Sequence, residues 1–306
     1  MSQTADIPTW VAVDWGTSHL RLWLMASDGA VLRRLDSDQG MGHLSPDQFE
    51  PAILELLAPH LGDTALTVIC CGMAGSRQGW AEAPYAATPC LPPSLETATK
   101  VKTKDRRLNV NILPGIKQMA PADVMRGEET QIAGVIAKRP GFDGVVCLPG
   151  THTKWARVRD GMVQSFGTFM TGEMFALLSE SSVLRHTVGT SGWDPQAFGQ
   201  AVEQAVQDPN TLSASLFSLR AQALLAELPP PVARARLSGL LIGTELSAAQ
   251  TYWHSGEVVV VGENALANAY AEALKLQNIT PALFNAEQMT LSGLTAAYDK
   301  IKDQIS

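Results

Sequence analysis

No two of the four cysteines, Cys70, Cys71, Cys90 and Cys147, stand in CxxC spacing, and a chain of 306 residues has no need of disulfide staples. Cys70, Cys71 and Cys147 lie inside apolar runs and read as buried free thiols. The six histidines form no HxxxH pair and no Cys/His cluster, which excludes a tight zinc site. No window approaches the roughly 18 uncharged apolar residues of a membrane span. The first ten residues, MSQTADIPTW, lack the basic start and apolar core of a signal peptide, so the cytoplasm is the expected compartment. There is no basic excess either: the net charge is −7, which argues against a duplex nucleic-acid binder while leaving room for a local anion pocket. GxxxxGK[ST] does not occur, so a P-loop is excluded, and no Gly-x-Ser-x-Gly elbow marks an α/β-hydrolase. Gly40-Met41-Gly42-His43-Leu44-Ser45 lacks the third glycine of a dinucleotide fingerprint and does not lead from a buried strand into a helix.

What remains is an ordinary globular composition, 45% apolar and 17% charged, long enough for two domains. Trp10 to Gly16 reads as a short apolar strand, His19 to Met25 alternates as a half-buried one, Asp28-Gly29 is a turn, and a third strand follows. A helix is expected over Pro46 to His60 with Ser45 as its cap, then a buried strand over Leu66 to Gly72. Residues 84 to 121 read as loops with one strand near Val110 to Leu113. From Asp123 the apolar positions Val124, Ile132, Val135 and Ile136 predict a helix that ends at Pro140-Gly141. Residues 172 to 251 read as mostly helical, Val258 to Gly262 as a buried strand, then a helix over Glu263 to Leu276, a strand near Pro281 to Phe284 and a last helix near Leu291 to Ile301.

The most informative feature is a repeat. Val145 to Ser165 follows the plan of the opening: apolar strand, Gly-Thr, polar pair, strand, Asp-Gly turn, strand. Two related halves are implied, within an α/β fold. Backbone N–H groups at a glycine-bearing bend form an anion nest, so two such hairpins can grip a polyphosphate. Thr17, Ser18, Thr151 and Thr153 would add hydroxyl donors, and Asp14 can hold Mg²⁺ through water.

The segments DWGTSHLRLWLM, CGMAGSRQGW, DVMRGEETQ, LPGTHTKW, FMTGEMFALL and SGLLIGTELSAA resemble those of the 2-dehydro-3-deoxygalactonokinase family. The resemblance implies a two-lobed actin/hexokinase-like ATPase fold, with duplicated mixed-sheet domains around a central nucleotide cleft. The expected domains are residues 1–138, with the first phosphate hairpin and the sugar-acid site, and 139–306, with the second hairpin and the adenosine site; the last helix is expected to return to the first lobe. The implied activity is ATP-dependent phosphorylation of the 6-hydroxyl of 2-dehydro-3-deoxy-D-galactonate. The alternatives are a kinase for a related sugar or sugar acid and a non-kinase actin-like ATPase or phosphatase. The expected partner is a small sugar acid, with no nucleic acid or membrane, and a homodimer as the assembly.

The resemblance also suggests roles. Asp14, Gly16, Thr17 and Ser18 match a first phosphate segment, and Gly150, Thr151, His152 and Thr153 a second. Where superfamily members often repeat the Asp, this chain has Leu148 and Pro149, so Asp14 would hold Mg²⁺ with little help. Gly262 and Asn264 match an adenosine segment, with Gly243, Thr244 and Glu245 lining the same pocket. Asp123 is the expected catalytic base, with Glu128, Glu129 and Glu173 as rivals; the alternative reading has Glu128 and Glu129 facing solvent on a helix and Glu173 as a first-turn helix charge. Arg77 and Arg126, then Arg21, are candidates for the substrate carboxylate, because a guanidinium matches a carboxylate bidentately. Trp80 and Tyr85 can pack on the sugar-acid chain, and Lys154 either offsets phosphate charge or points to solvent.

Overall fold

Val11 and Val13 turn to one side of their strand and Trp10 and Ala12 to the other, and all four are fully buried. A strand apolar on both faces needs cover on both, and the computed structural model, which describes residues 8–254, 256–262 and 265–300, supplies it. The chain divides into two compact units. One holds the chain up to Phe142 together with Asp160–Gln164 and the stretch from Ala286 onward; the other holds Asp143–Arg159 and Ser165–Asn285.

The first unit is built on strands β1 (Trp10–Trp15), β2 (Leu20–Met25), β3 (Val31–Ser37), β4 (Leu66–Gly72), β5 (Ala86–Ala87), β6 (Thr99–Lys100), β7 (Leu108–Ile112), β8 (Ile116–Met119) and β9 (Ala122–Met125). Its main sheet runs β3-β2-β1-β4-β7-β6, and β5, β8 and β9 make a small separate sheet. Helix α1 (Phe49–Leu57), entered through a Ser45/Gln48 capping box, sets Phe49, Ile53 and Leu57 against Val11, Val13 and Trp15. Helices α2 (Glu128–Lys138) and α9 (Ala286–Asp299) pack on each other, and α9 covers the opposite face of the sheet. There Tyr298 stacks on Trp10 with ring centroids 4.4 Å apart, an arrangement worth about 0.5–1.5 kcal/mol beyond its area burial.

The second unit carries β10 (Gly144–Leu148), β11 (Thr153–Arg159), β12 (Met162–Phe169), β13 (Glu257–Val261) and β14 (Ala282–Phe284), in the order β12-β11-β10-β13-β14. Helices α3 (Thr171–Glu180), α4 (Pro195–Gln207), α5 (Leu212–Leu225), α6 (Pro230–Ala248), α7 (Gln250–Trp253) and α8 (Ala265–Leu276) complete it. Val145, Cys147 and Trp155 pack with Phe198, Ile242, Leu246 and Tyr270 from α4, α6 and α8.

The repeat is a structural one. β3-β2-β1-β4-β7 corresponds strand for strand to β12-β11-β10-β13-β14, with β1 and β10 each antiparallel to the next strand and parallel to β4 and β13. β4 and β13 each pair in parallel with one further strand, β7 and β14. This is a mixed α/β fold in which two related sheets, one in each unit, are covered by helices.

Three expectations change. Residues 84 to 121 hold four strands rather than one; in the last of them Ile116 and Gln118 alternate inward against β9. The helix expected from Asp123 begins only at Glu128: residues 122 to 125 pair with β8, and Gly127 at φ +108 breaks the strand before the helix starts. The last helix begins five residues earlier than its apolar pattern indicates, at Ala286.

Candidate active site

In the first unit the bend after β1 is held from behind. Asp14 and Arg21 are directly opposite on the β1–β2 ladder, and Arg21 Nη2 donates to Asp14 Oδ2 at 2.7 Å. Asp14 is only 13% exposed, and burial raises its pKa against the pull of Arg21. Its second oxygen faces the Cys71 thiol at 3.9 Å. Gly16, Thr17 and Ser18 form the bend, with Thr17 and Ser18 exposed. Met41 N donates to the Gly16 carbonyl at 3.0 Å and Gly42 N to the Thr17 carbonyl at 2.8 Å. A Cβ on Gly40 would lie 2.3 Å from the Ser18 carbonyl carbon, so only glycine lets this segment buttress the bend. The unused Gly-Met-Gly run is thus the back wall of the first hairpin.

Beyond β4, Arg77 is 84% exposed and sits 3.8 Å from Glu82. Arg126 donates from Nη2 to the Ala83 carbonyl at 2.7 Å, and its guanidinium lies 4.3 Å over the Tyr85 ring. Its Nε and Nη1 are buried without a hydrogen-bond partner. Trp80 packs edge-on to Trp15 and stacks on Phe49 against the first core, so its ring has a packing role. Arg21 is committed to Asp14, with Glu287 3.9 Å away.

Asp123 lies on β9 rather than at a helix start, partly exposed, its Oδ1 accepting from Val124 N at 2.7 Å. Glu129, a rival for the base with a solvent-facing place as its alternative, is fully buried in the first turn of α2. Both its oxygens accept from Gly127 N, at 2.9 and 2.7 Å, yet burial and the neighbouring Glu128 push its pKa up to about 8.

In the second unit the bend is Pro149-Gly150-Thr151-His152, with Thr151 and His152 exposed. Helix α3 starts against it. Glu173 N donates to the Thr151 carbonyl at 2.9 Å, and the Glu173 carboxylate meets His152 Nε2 at 2.5 Å. A Cβ on Gly172 would fall 2.2 Å from the Gly150 carbonyl oxygen, so the helix reaches the bend only because residue 172 has no side chain. Thr153 is a correction: its hydroxyl points inward to Tyr270, 2.9 Å away, and is no free donor. Lys154 is buried too, at 5% exposure.

Gly243 packs α6 against α4, where a Cβ would meet the Val202 carbonyl at 2.6 Å. Thr244 and Glu245 line a small, mostly apolar pocket with Phe169, Met170, Thr171 and Met174. Glu245 is 3% exposed and takes hydrogen bonds from Trp155 Nε1 at 2.7 Å, Tyr270 at 2.6 Å and Thr171. Burial pushes its pKa to about 7 against these three donors. Gly262 directly follows β13 and donates its N–H to the Phe284 carbonyl at 2.7 Å; Asn264 lies outside the described residues. Among the described residues no three of His, Cys, Asp and Glu gather as a metal cage, and no helix is long and apolar enough to cross a membrane.

Residues 14–297 match the family of 2-keto-3-deoxy-galactonokinases. The chain belongs to that family. It is 40% identical over 295 residues to the Rhizobium meliloti protein named "Probable 2-dehydro-3-deoxygalactonokinase DgoK1", covering 94% of this chain and 96% of that one. It is 33% identical over 275 residues to the 2-dehydro-3-deoxygalactonokinase of Escherichia coli, covering 87% and 89%. Among solved structures, a Sinorhizobium meliloti protein provisionally named 2-dehydro-3-deoxygalactonokinase superposes with a TM-score of 0.90 at 39% identity, over 95% of this chain and 99% of that one. Within this 2-keto-3-deoxy-galactonokinase-family chain, local patterns do not reveal the burial of Glu129, Lys154 and Glu245. Only Glu245 left a trace, as the lone acid in the otherwise uncharged run from Leu237 to Thr251.

Proposed function

We propose that the protein is a 2-dehydro-3-deoxygalactonokinase, transferring the γ-phosphoryl group of ATP to the 6-hydroxyl of 2-dehydro-3-deoxy-D-galactonate. The family match over residues 14–297 carries this reading. The paired glycine-bearing bends, one in each unit, support it by offering backbone N–H groups and exposed hydroxyls suited to a polyphosphate.

Gly16, Thr17 and Ser18 are assigned to one set of phosphate contacts, and Gly150, Thr151 and His152 to the other. Thr153 acts from behind, through Tyr270. Gly262, Gly243 and Asn264 are assigned to the adenosine end. For Mg²⁺ the donor set fits a hydrated ion held by one carboxylate: one Asp14 oxygen is on Arg21, and the other faces only a thiol at 3.9 Å. Bound there, the ion would offset charge on the phosphates. Arg77, exposed on its loop, and Arg126, with two nitrogens lacking partners, are assigned to the substrate carboxylate. Trp80 is left a supporting place behind them.

Asp123 is assigned as the base, since it is partly exposed whereas Glu129 is sealed from solvent. It takes the proton of the 6-hydroxyl as that oxygen bonds to the γ-phosphorus and the bond to the ADP oxygen breaks. The products are ADP and the 6-phosphate ester, with the proton passed on to water. The four free cysteines suit the reducing cytoplasm, where we place the enzyme.

The test is phosphorus NMR of the product formed from Mg²⁺-ATP and the acid. The reading expects an ester resonance coupled to the two protons on C6. Inorganic phosphate without ester would overturn it in favour of an ATPase or phosphatase.

A further inference from the structure

Glu245 is a costly residue to bury. An apolar side chain of similar size would pack α6 without the desolvation of a carboxylate. What the acid does instead is collect donors from three other elements of its unit. Trp155 comes from β11, Thr171 from the start of α3, and Tyr270 from α8. Tyr270 donates to Glu245, so its oxygen accepts from the Thr153 hydroxyl at 2.9 Å, which extends the chain to the first residue after the bend.

Both ends of this network touch the bend. Thr153 leads out of it. Thr171 precedes Gly172, which lies against Gly150, and Glu173, which holds Thr151 by its N–H and His152 by its carboxylate. The carboxylate therefore fixes the outgoing strand and the supporting helix against one common point. A hub satisfied on all sides transmits position with little slack.

We propose that Glu245 is a positioning residue that holds the Gly150–His152 bend in shape for the phosphates of ATP, acting through Thr171 on one side and Tyr270–Thr153 on the other. This rests on the assignment of that bend to ATP. It differs from a pocket-lining role for Glu245, since the carboxylate oxygens are taken up by protein donors.

The test removes single donors and leaves Glu245 in place. Thr171→Val deletes one hydroxyl at constant shape, Thr171→Ser keeps it, and Tyr270→Phe cuts the link to Thr153. Binding of a non-hydrolysable ATP analogue is measured by calorimetry on the wild type and each variant, with KM for ATP, KM for the acid and the melting midpoint alongside. Thr171→Val and Tyr270→Phe are each expected to weaken analogue binding and raise the ATP KM about tenfold, the scale of one lost hydrogen bond to a charged group. Thr171→Ser should bind within about twofold of the wild type, and the acid KM should stay within about twofold in all three. If the wild type binds the analogue and both deletions bind it equally well, Glu245 is structural only and the proposal falls alone. Equal rises in both KM values would also overturn it. If the wild type binds no analogue, the assignment of the bend to ATP falls, and the proposal with it.

Discussion

Arg21 stands across the β1–β2 ladder from Asp14 and holds its carboxylate at 2.7 Å, while at the matching rung of the second hairpin Lys154 stands across from Leu148. Each hairpin carries a cation at this rung of its second strand, and only the first carries an acid opposite it. Asp14 is the carboxylate proposed above to hold a hydrated ion, through the oxygen that faces the Cys71 thiol. Asp14→Asn should lower kcat by at least about a hundredfold, the scale of losing a group that stabilises transition-state charge. Its Mg²⁺ requirement should shift to higher concentration with the melting midpoint little changed. A titration of activity against Mg²⁺ checks this, and an unchanged curve would remove Asp14 from the metal.

Gly172→Ala places a methyl 2.2 Å from the Gly150 carbonyl oxygen, in backbone that has no flexible end to yield. The bend or the start of α3 must move. The ATP KM should rise more than the acid KM, and the melting midpoint should drop by several degrees, as about 1–3 kcal/mol of overpacking strain implies. Thermal unfolding and steady-state kinetics on the same preparation test both.

The two arginines assigned to the substrate should separate by experiment. Arg77 is 84% exposed, so Arg77→Ala should raise the acid KM without changing stability. Arg126 also holds the Ala83 carbonyl and lies over Tyr85, so Arg126→Ala should raise the acid KM and lower the melting midpoint as well. An Arg77→Ala enzyme with both KM values raised alike would mark Arg77 as structural.

The strand-turn-strand repeat was readable because it is local: alternation, Gly-Thr and Asp-Gly all fall within about twenty residues of each other. The burial of Cys70, Cys71 and Cys147 and the helix expected within Pro46 to His60, whose α-helical part is Phe49–Leu57, follow from equally local signals. Asp123 shows where that stops. Val124, Ile132, Val135 and Ile136 give one unbroken apolar rhythm, although a strand ends and a helix begins within it. Val124 is in fact 52% exposed, and only the positive φ of Gly127 marks the change. Glu129, Lys154 and Glu245 were hidden for another reason. Burial is set by the surrounding fold rather than by one segment: the donors of Glu245, Trp155, Thr171 and Tyr270, all come from other elements, and no spacing within one segment records such partners.

Glu129 and Glu245 predict a direction for stability against pH. Their pKa values rise from an ordinary 4.5 to about 8 and about 7 on folding. The folded chain keeps these protons to higher pH than the unfolded chain does, so folding is favoured at low pH. That contribution is complete below about pH 4.5 and is lost as pH rises through about 7 to about 8. Asp105, lowered to about 2, acts only below that window. Urea unfolding midpoints should therefore fall between pH 5.5 and 8.5, and Glu129→Gln should flatten the slope. A midpoint that climbs over this range in both proteins would contradict the burial assigned to Glu129.

The measurement that bears most directly on the whole account is acceptor-dependent ADP release with Mg²⁺-ATP. The acceptors compared are 2-dehydro-3-deoxygalactonate, its gluconate epimer, galactonate and galactose, each tested with the wild type and with Asp123→Asn. A kinase should hydrolyse ATP slowly until its acceptor binds. The account predicts strong stimulation of the wild type by 2-dehydro-3-deoxygalactonate, and its loss in Asp123→Asn with ATP binding retained. ATP bound but no stimulation by any of the four would contradict the sugar-acid kinase.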